Sequence, residues 1–254
     1  MKLNQFNLLL LVSVLISCSN PETKNRKDKI AAIDSISAAT NPVKTISQLE
    51  YNSPVDKTLT PFHGTLKANA SWQDKNGKNV LIITERPQYF WQEENPAMKK
   101  FTQDPDDDVE VAELFAWHYV FNAQENKWKA LWTLNDFNFG CCDVEMEYTP
   151  WSLRITDLDS NGIAESIFTY ASSGGTGPID NYWDGKLIFH TDSVKCTIKG
   201  LLGKLDSDND SLVYSGYDKV DNAFKTHCEK AWQHSRDIRD SIYKEKYIKP
   251  MIQF

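Results

Sequence analysis

The chain has 254 residues, with 28 basic against 35 acidic side chains and a net charge of −7. Such a surface repels phosphate backbones, and no basic stripe interleaved with aromatics runs along it, which argues against a nucleic-acid partner. Eight Trp, ten Tyr and twelve Phe supply apolar area for a core, and one domain is the natural count for this length.

The N-terminus carries a lysine, Lys2, then the apolar run Leu8–Ile16, then Ser17-Cys18 and the polar Ser19-Asn20. A membrane-spanning helix needs roughly 20 apolar residues to cross about 30 Å of hydrocarbon, so this shorter run reads as a signal peptide. Leu15-Ile16-Ser17-Cys18 resembles the lipobox of lipoprotein signal peptides. The resemblance implies that residues 1–17 are removed and that Cys18 is acylated. Each buried methylene contributes about 0.8 kcal/mol, so an anchor of two or more chains holds the protein to a membrane. The expected location is the cell envelope, on the outer or inner membrane, with the domain in the periplasm or at the cell surface.

Residues 18–61 are poor in rings, with Tyr51 the only aromatic side chain before Phe62. So little apolar surface cannot offset ordering entropy, and the segment is expected to be a flexible, lipid-anchored tether. From Phe62 onward the pattern is that of strands. Asn79–Thr84 is an apolar, β-branched run, and Asn76-Gly77 ahead of it is a strong hairpin signal, so residues 70–73 and 80–85 are expected to pair. Further strands are expected over 112–122, 127–135, 152–156, 166–171, 186–190 and 195–198, with Gln124-Glu125-Asn126 as a hairpin turn. Near the end the period changes to about 3.6: Phe224, Cys228, Ala231, Trp232, Ser235, Ile238 and Ile242 share one face of a helix over 222–245. The expected fold is mainly β (α+β). It is an antiparallel, sandwich-like single domain over 62–254 that ends in this helix.

Asp157-Leu158-Asp159-Ser160-Asn161-Gly162-Ile163-Ala164-Glu165 is the most specific internal motif. Alternating oxygen side chains, a glycine for the sharp turn and a further carboxylate suit a hard cation, and calcium takes six to eight oxygens. The expected ligands are Asp157, Asp159, Asn161, the Ile163 carbonyl and Glu165, with calcium in a structural role. Phe168 stands where an EF-hand needs its bidentate Glu, and strands flank the loop, so this is not an EF-hand. The motif resembles the calcium loops of FG-GAP-type repeats. A single good copy argues against a propeller. Asp206-Ser207-Asp208-Asn209-Asp210 repeats the acids without the glycine and makes a poorer second loop.

Four cysteines remain after Cys18: Cys141, Cys142, Cys196 and Cys228. An oxidising compartment favours disulfides, but four cysteines allow three pairings and the spacing selects none. A zinc site built from His227, Cys228 and His234 lacks the usual ligand spacings. Ser172–Pro178 is glycine-rich but has neither the lysine of a P-loop nor a nucleophile elbow, and it reads as a flexible loop. His118 and His190 lie within strand patterns, where histidines are usually packed. Asp104, Asp106, Asp107 and Asp108 read as a solvated acidic loop. Trp151, Tyr182 and Trp183 lie near the cation motif in sequence. They are the candidate glycan-stacking rings, with core packing as their competing role.

Two blocks together, Trp72–Asp74 through Gly77–Glu85 and Leu153–Asp159 through Gly162–Glu165, are similar to a Gram-negative lipoprotein family labelled as surface polysaccharide biosynthesis proteins. The resemblance spans roughly residues 62–240 and implies a role in building or displaying surface polysaccharide, without assigning catalytic residues. The first expectation is therefore a non-enzymatic lipoprotein that binds polysaccharide or its envelope assembly proteins. A periplasmic polysaccharide-modifying enzyme and a protein-interaction module are the alternatives.

Overall fold

The computed structural model describes residues 46–56, 58–59, 63–90, 109–140, 144–173, 183–191, 194–202 and 211–245. Cys18, the tether up to residue 45, the acidic run 104–108, Cys141, Cys142, residues 174–182 with Tyr182, and the second acidic loop at 206–210 lie outside these residues.

The fold is mainly β, with two antiparallel sheets and a C-terminal helix. Sheet A has the order β1 (Ser47–Tyr51), β2 (Thr65–Asp74), β3 (Gly77–Phe90), β4 (Glu110–Asn122) and β5 (Lys127–Gly140), each strand beside its chain neighbour. Sheet B runs β11 (Val213–Ser215), β10 (Lys195–Leu202), β9 (Trp183–His190), β8 (Glu165–Ser173) and β6 (Glu145–Tyr148). The short strand β7 (Arg154–Thr156) also pairs with β8.

The faces follow from the two-residue period. Trp72, Leu81, Ile83, Leu114 and Ala116 of sheet A meet Met146, Tyr148, Ile155, Phe168 and Tyr170 of sheet B in one buried cluster. The other face of sheet B carries Ile167, Ala171, Leu187, Phe189, Cys196 and Ile198 into a second cluster. Phe224, Cys228 and Trp232 of α1 (Asn222–Tyr243) complete it. β8 is therefore covered on both sides, which is why Glu165–Ala171 is a continuous buried run. The Asp221 carboxylate opens α1 by accepting from the amides of Ala223 and Phe224, satisfying two of the helix's orphan donors.

Each of the eight strand segments expected from Phe62 onward lies within an observed strand or, at Ser152–Thr156, ends in one. The β2–β3 hairpin forms in the expected place, with Asp74 opposite Gly77. Its loop residues are Lys75 and Asn76, and of the turn residues only Gly77 takes a positive φ, at 117°. The Asp74 carboxylate accepts the Asn76 amide at 2.8 Å. The glycine thus closes the turn instead of occupying its centre.

The domain boundary at Phe62 needs correction. β1, inside the segment read as tether, pairs with β2 from Ser47↔Gln73 to Tyr51↔Ala70. All five of its residues are exposed, so an edge strand of this kind buries no alternating face and leaves no periodic trace. The three-residue β11 and four-residue β6 leave no trace in the sequence for a related reason, being too short to show a period.

Cys196 and Cys228 are both buried and free, on opposite sides of the sheet–helix core. Burial pushes both thiols upward, that of Cys228 to about 12. His118 is also a packed residue. Its Nε2 lies 3.0 Å from Asn79 Oδ1, with the Trp72 and Trp132 rings 5.0 and 5.7 Å away. Desolvation, aided by the charge of His190, pushes its pKa down to about 3. A neutral imidazole that donates from Nε2 fits this setting. Because the unfolded chain takes up the proton near pH 6.5 and the folded chain resists it, this histidine destabilises the domain progressively as pH falls from about 6.5 toward 3. An NMR titration should show the His118 ring still neutral at pH 5; protonation near 6.5 would refute the packing account.

Candidate functional site

The motif 157–165 forms the β7–β8 connection. Ser160 and Gly162 adopt positive φ values of 58° and 87°, and the loop's amides turn inward onto its own oxygens. Gly162 N–H donates to Asp157 Oδ2 at 3.2 Å, Asn161 N–H to Asp159 Oδ1 at 3.1 Å, and Ile163 N–H to Asn161 Oδ1 at 2.7 Å. Carboxylate oxygens of Asp157, Asp159 and Glu165 converge so that all lie within 4.8 Å of one another, and this is the one such group of three among the described residues.

Asn161 is in the same loop, with its Nδ2 donating to Asp159 Oδ2 at 2.9 Å and its oxygen engaged by the Ile163 amide. Asp157, Asp159 and Glu165 thus come together as expected, while the Asn161 side chain is turned onto the loop backbone. Calcium–oxygen distances are about 2.3–2.6 Å, so oxygens across one ion lie about 5 Å apart. The spacing of the three carboxylates suits a cation of that size.

Glu165 is buried at 2 % exposure, and its Oε2 accepts the Leu158 amide at 2.8 Å. Burial, with Asp159 and Asp157 adding repulsion, pushes its pKa up to about 7 against the opposing pull of that amide. A cation would replace the proton there.

The loop is not free-standing. Asp74, at the β2–β3 turn, accepts the Ala164 amide at 3.1 Å and the Trp72 indole at 2.9 Å, and Lys75 N–H donates to the Gly162 carbonyl at 2.8 Å. The hairpin turn of sheet A therefore clamps the acidic loop of sheet B. Asp74 was legible in the sequence only as a turn former.

Comparison of the chain with protein-family models, with curated proteins and with solved structures gave no match.

The candidate glycan rings do not share one environment. Trp151 stands exposed in the turn between β6 and β7 at φ 59°, its carbonyl accepting from Arg154. Trp183 packs against the sheet–helix core, with the Arg239 guanidinium 5.0 Å from its ring centre. Of the zinc alternative, Cys228 is buried in that core, and no group of His and Cys ligands forms among the described residues.

A pH test isolates Glu165. Its folded pKa is raised above the unfolded value, so its contribution to stability is full below about pH 4.5 and lost as pH rises through about 7. Raising the pH from 5 to 8 also relieves the His118 penalty, so the readout is a difference: in a chelator, wild type should lose more Tm over this range, or gain less, than Glu165→Gln, and millimolar calcium should remove that difference. An identical pH slope in wild type and Glu165→Gln would dismiss the site's electrostatics.

Proposed function

We propose that the protein is a lipoprotein of the cell envelope, held to a membrane through Cys18, whose calcium-stabilised β-domain binds or scaffolds surface polysaccharide without catalysis. The convergence of Asp157, Asp159 and Glu165 within 4.8 Å, on a loop clamped by Asp74, is the observation that supports the ion. Three acids at this separation repel one another strongly unless a cation or a proton joins them. The ion then ties β7 to β8 and, through Asp74 and Lys75, sheet B to sheet A. Its role in this reading is structural. The similarity of the β2–β3 and β7–β8 blocks to the polysaccharide family supports the ligand, and those are the two segments that meet at the clamp.

Calorimetric titration of the purified full chain with calcium tests the ion: heat and a rise in Tm at or below millimolar calcium are expected, both lost in Asp157→Asn/Asp159→Asn. No heat at millimolar ion overturns it. For the anchor, Cys18→Ala should move the chain from the detergent phase to the aqueous phase; unchanged partitioning rejects the lipid.

A further inference from the structure

The face of sheet B that packs against sheet A continues past it. Ile188 of β9 belongs to the inter-sheet core, but its neighbours on the same face line an open groove of about 360 Å³. Lys186 lies on β9, and Lys195, Thr197 and Lys199 alternate along β10. Val213 and Ser215 of β11 close the far side. Among the described residues the groove wall thus holds three amines, two hydroxyls and two apolar side chains, and no carboxylate.

This concentration of positive charge stands out in a chain of net charge −7. Strand register puts Lys186 and Lys199 directly opposite each other, and Thr197 opposite Ser215. Like charges directly opposite across strands are destabilising, so the pairing calls for a counter-charge. Lys186 has one: Asp136 of β5 reaches across from sheet A, pairing with this amine and accepting from the Tyr170 hydroxyl. Lys195 and Lys199 form no ion pair among the described residues. Both side chains reach solvent along β10; partial desolvation at the groove wall and the neighbouring Lys186 and Lys199 lower the Lys195 pKa, opposed only by Asp136.

We propose that this groove binds an acidic saccharide, its carboxylate or phosphate between Lys195 and Lys199 and a sugar face against the exposed Val213. The inference rests on the glycan reading above and adds the ligand's charge and its place. Thr197 and Ser215 offer hydroxyls to sugar hydroxyls. The volume falls within the range of about 300–1,000 Å³ typical of small-ligand sites. A protein partner would need about 800 Å² of surface on each side, which a groove of this size does not offer.

The test is equilibrium binding to the full chain in neutral detergent, with calcium chelated and again with millimolar calcium. The probes are tri-galacturonate, the neutral trigalactoside and inorganic phosphate. The chains are wild type, Lys195→Ala/Lys199→Ala and, as a polar alternative should the first lose stability, Lys195→Gln/Lys199→Gln. The acidic trimer should bind wild type at least tenfold more tightly than either double variant, and tenfold more tightly than the neutral trimer. Its binding should weaken as salt rises.

Any of these results overturns the groove: no binding of the acidic trimer at millimolar concentration in either condition, equal binding by the double variants, a strict need for calcium, or phosphate binding as tightly as the trimer. The third would place the ligand on the 157–165 loop, and the last would leave a free-anion site without a sugar. Neutral and acidic trimers binding equally, unaffected by the lysine variants, would sink the groove and leave the glycan reading standing.

Discussion

Replacing Asp74 with alanine should cost about 3 kcal/mol of stability and weaken calcium binding at the β7–β8 loop at least tenfold, although Asp74 is not one of the three converging carboxylates. The carboxylate is buried and accepts three donors: the Trp72 indole at 2.9 Å, the Asn76 amide at 2.8 Å and the Ala164 amide at 3.1 Å. A buried donor left without an acceptor costs about 1–3 kcal/mol, and Trp72, one of the largest fully buried side chains, cannot turn its indole to water. The placement of the proposed ion's ligands depends on the same bonds, because Ala164 directly precedes Glu165. Asp74→Asn, which keeps one acceptor oxygen, should lose about half as much. Urea unfolding with and without calcium reads both effects. A loss below 1 kcal/mol, or unchanged calcium affinity in Asp74→Ala, would mean that the hairpin turn does not hold the loop.

Arg239→Ala should cost a similar amount, about 3 kcal/mol, and free the C-terminal half of α1. Arg239 is 4 % exposed although charged. Its Nη1 meets Glu147 Oε2 at 2.5 Å, its Nη2 donates to the Glu147 carbonyl at 2.8 Å, and its Nε donates to Thr149 Oγ1 at 3.2 Å. Hydrogen bonds to charged groups contribute about 1.5–3 kcal/mol each. The Glu147 side chain is 45 % exposed, so solvent screens part of the ion pair and the total falls below a simple sum. The helix's other half keeps Phe224, Cys228, Trp232 and the 2.9 Å Ser235–Thr169 hydroxyl contact. Hydrogen exchange in Arg239→Ala should therefore accelerate beyond residue 235 and stay slow before it. Uniform acceleration along α1 would indicate that the helix docks as a single unit without a local pin at Arg239.

The same contrast separates what was legible in the residues from what was not. The mainly β fold was legible because strands leave local signals: the continuous apolar, β-branched run of β3, buried from Asn79 to Glu85, and the alternation of β10, where Cys196 and Ile198 are buried between Lys195, Thr197 and Lys199. The helix was legible for the same reason at period 3.6, and Phe224, Cys228, Trp232 and Ser235 are buried as that period requires. The acidic loop announced itself because its converging side chains lie within nine residues of chain. β1 gave no sign, since an exposed edge strand has no buried face to repeat.

By itself, then, the sequence determined the class of the fold, the β2–β3 hairpin, the terminal helix and the clustering of the acids in the Asp157–Glu165 loop, all features whose cause lies within one or two turns of chain. Only the tertiary structure decided which strands share a sheet, that Asp74 clamps a loop 90 residues away, that Arg239 pins the helix to β6 92 residues back, and that lysines from β9 and β10 line one groove. Those pairings are set by which faces bury together. Burial between distant segments leaves no short period along the chain.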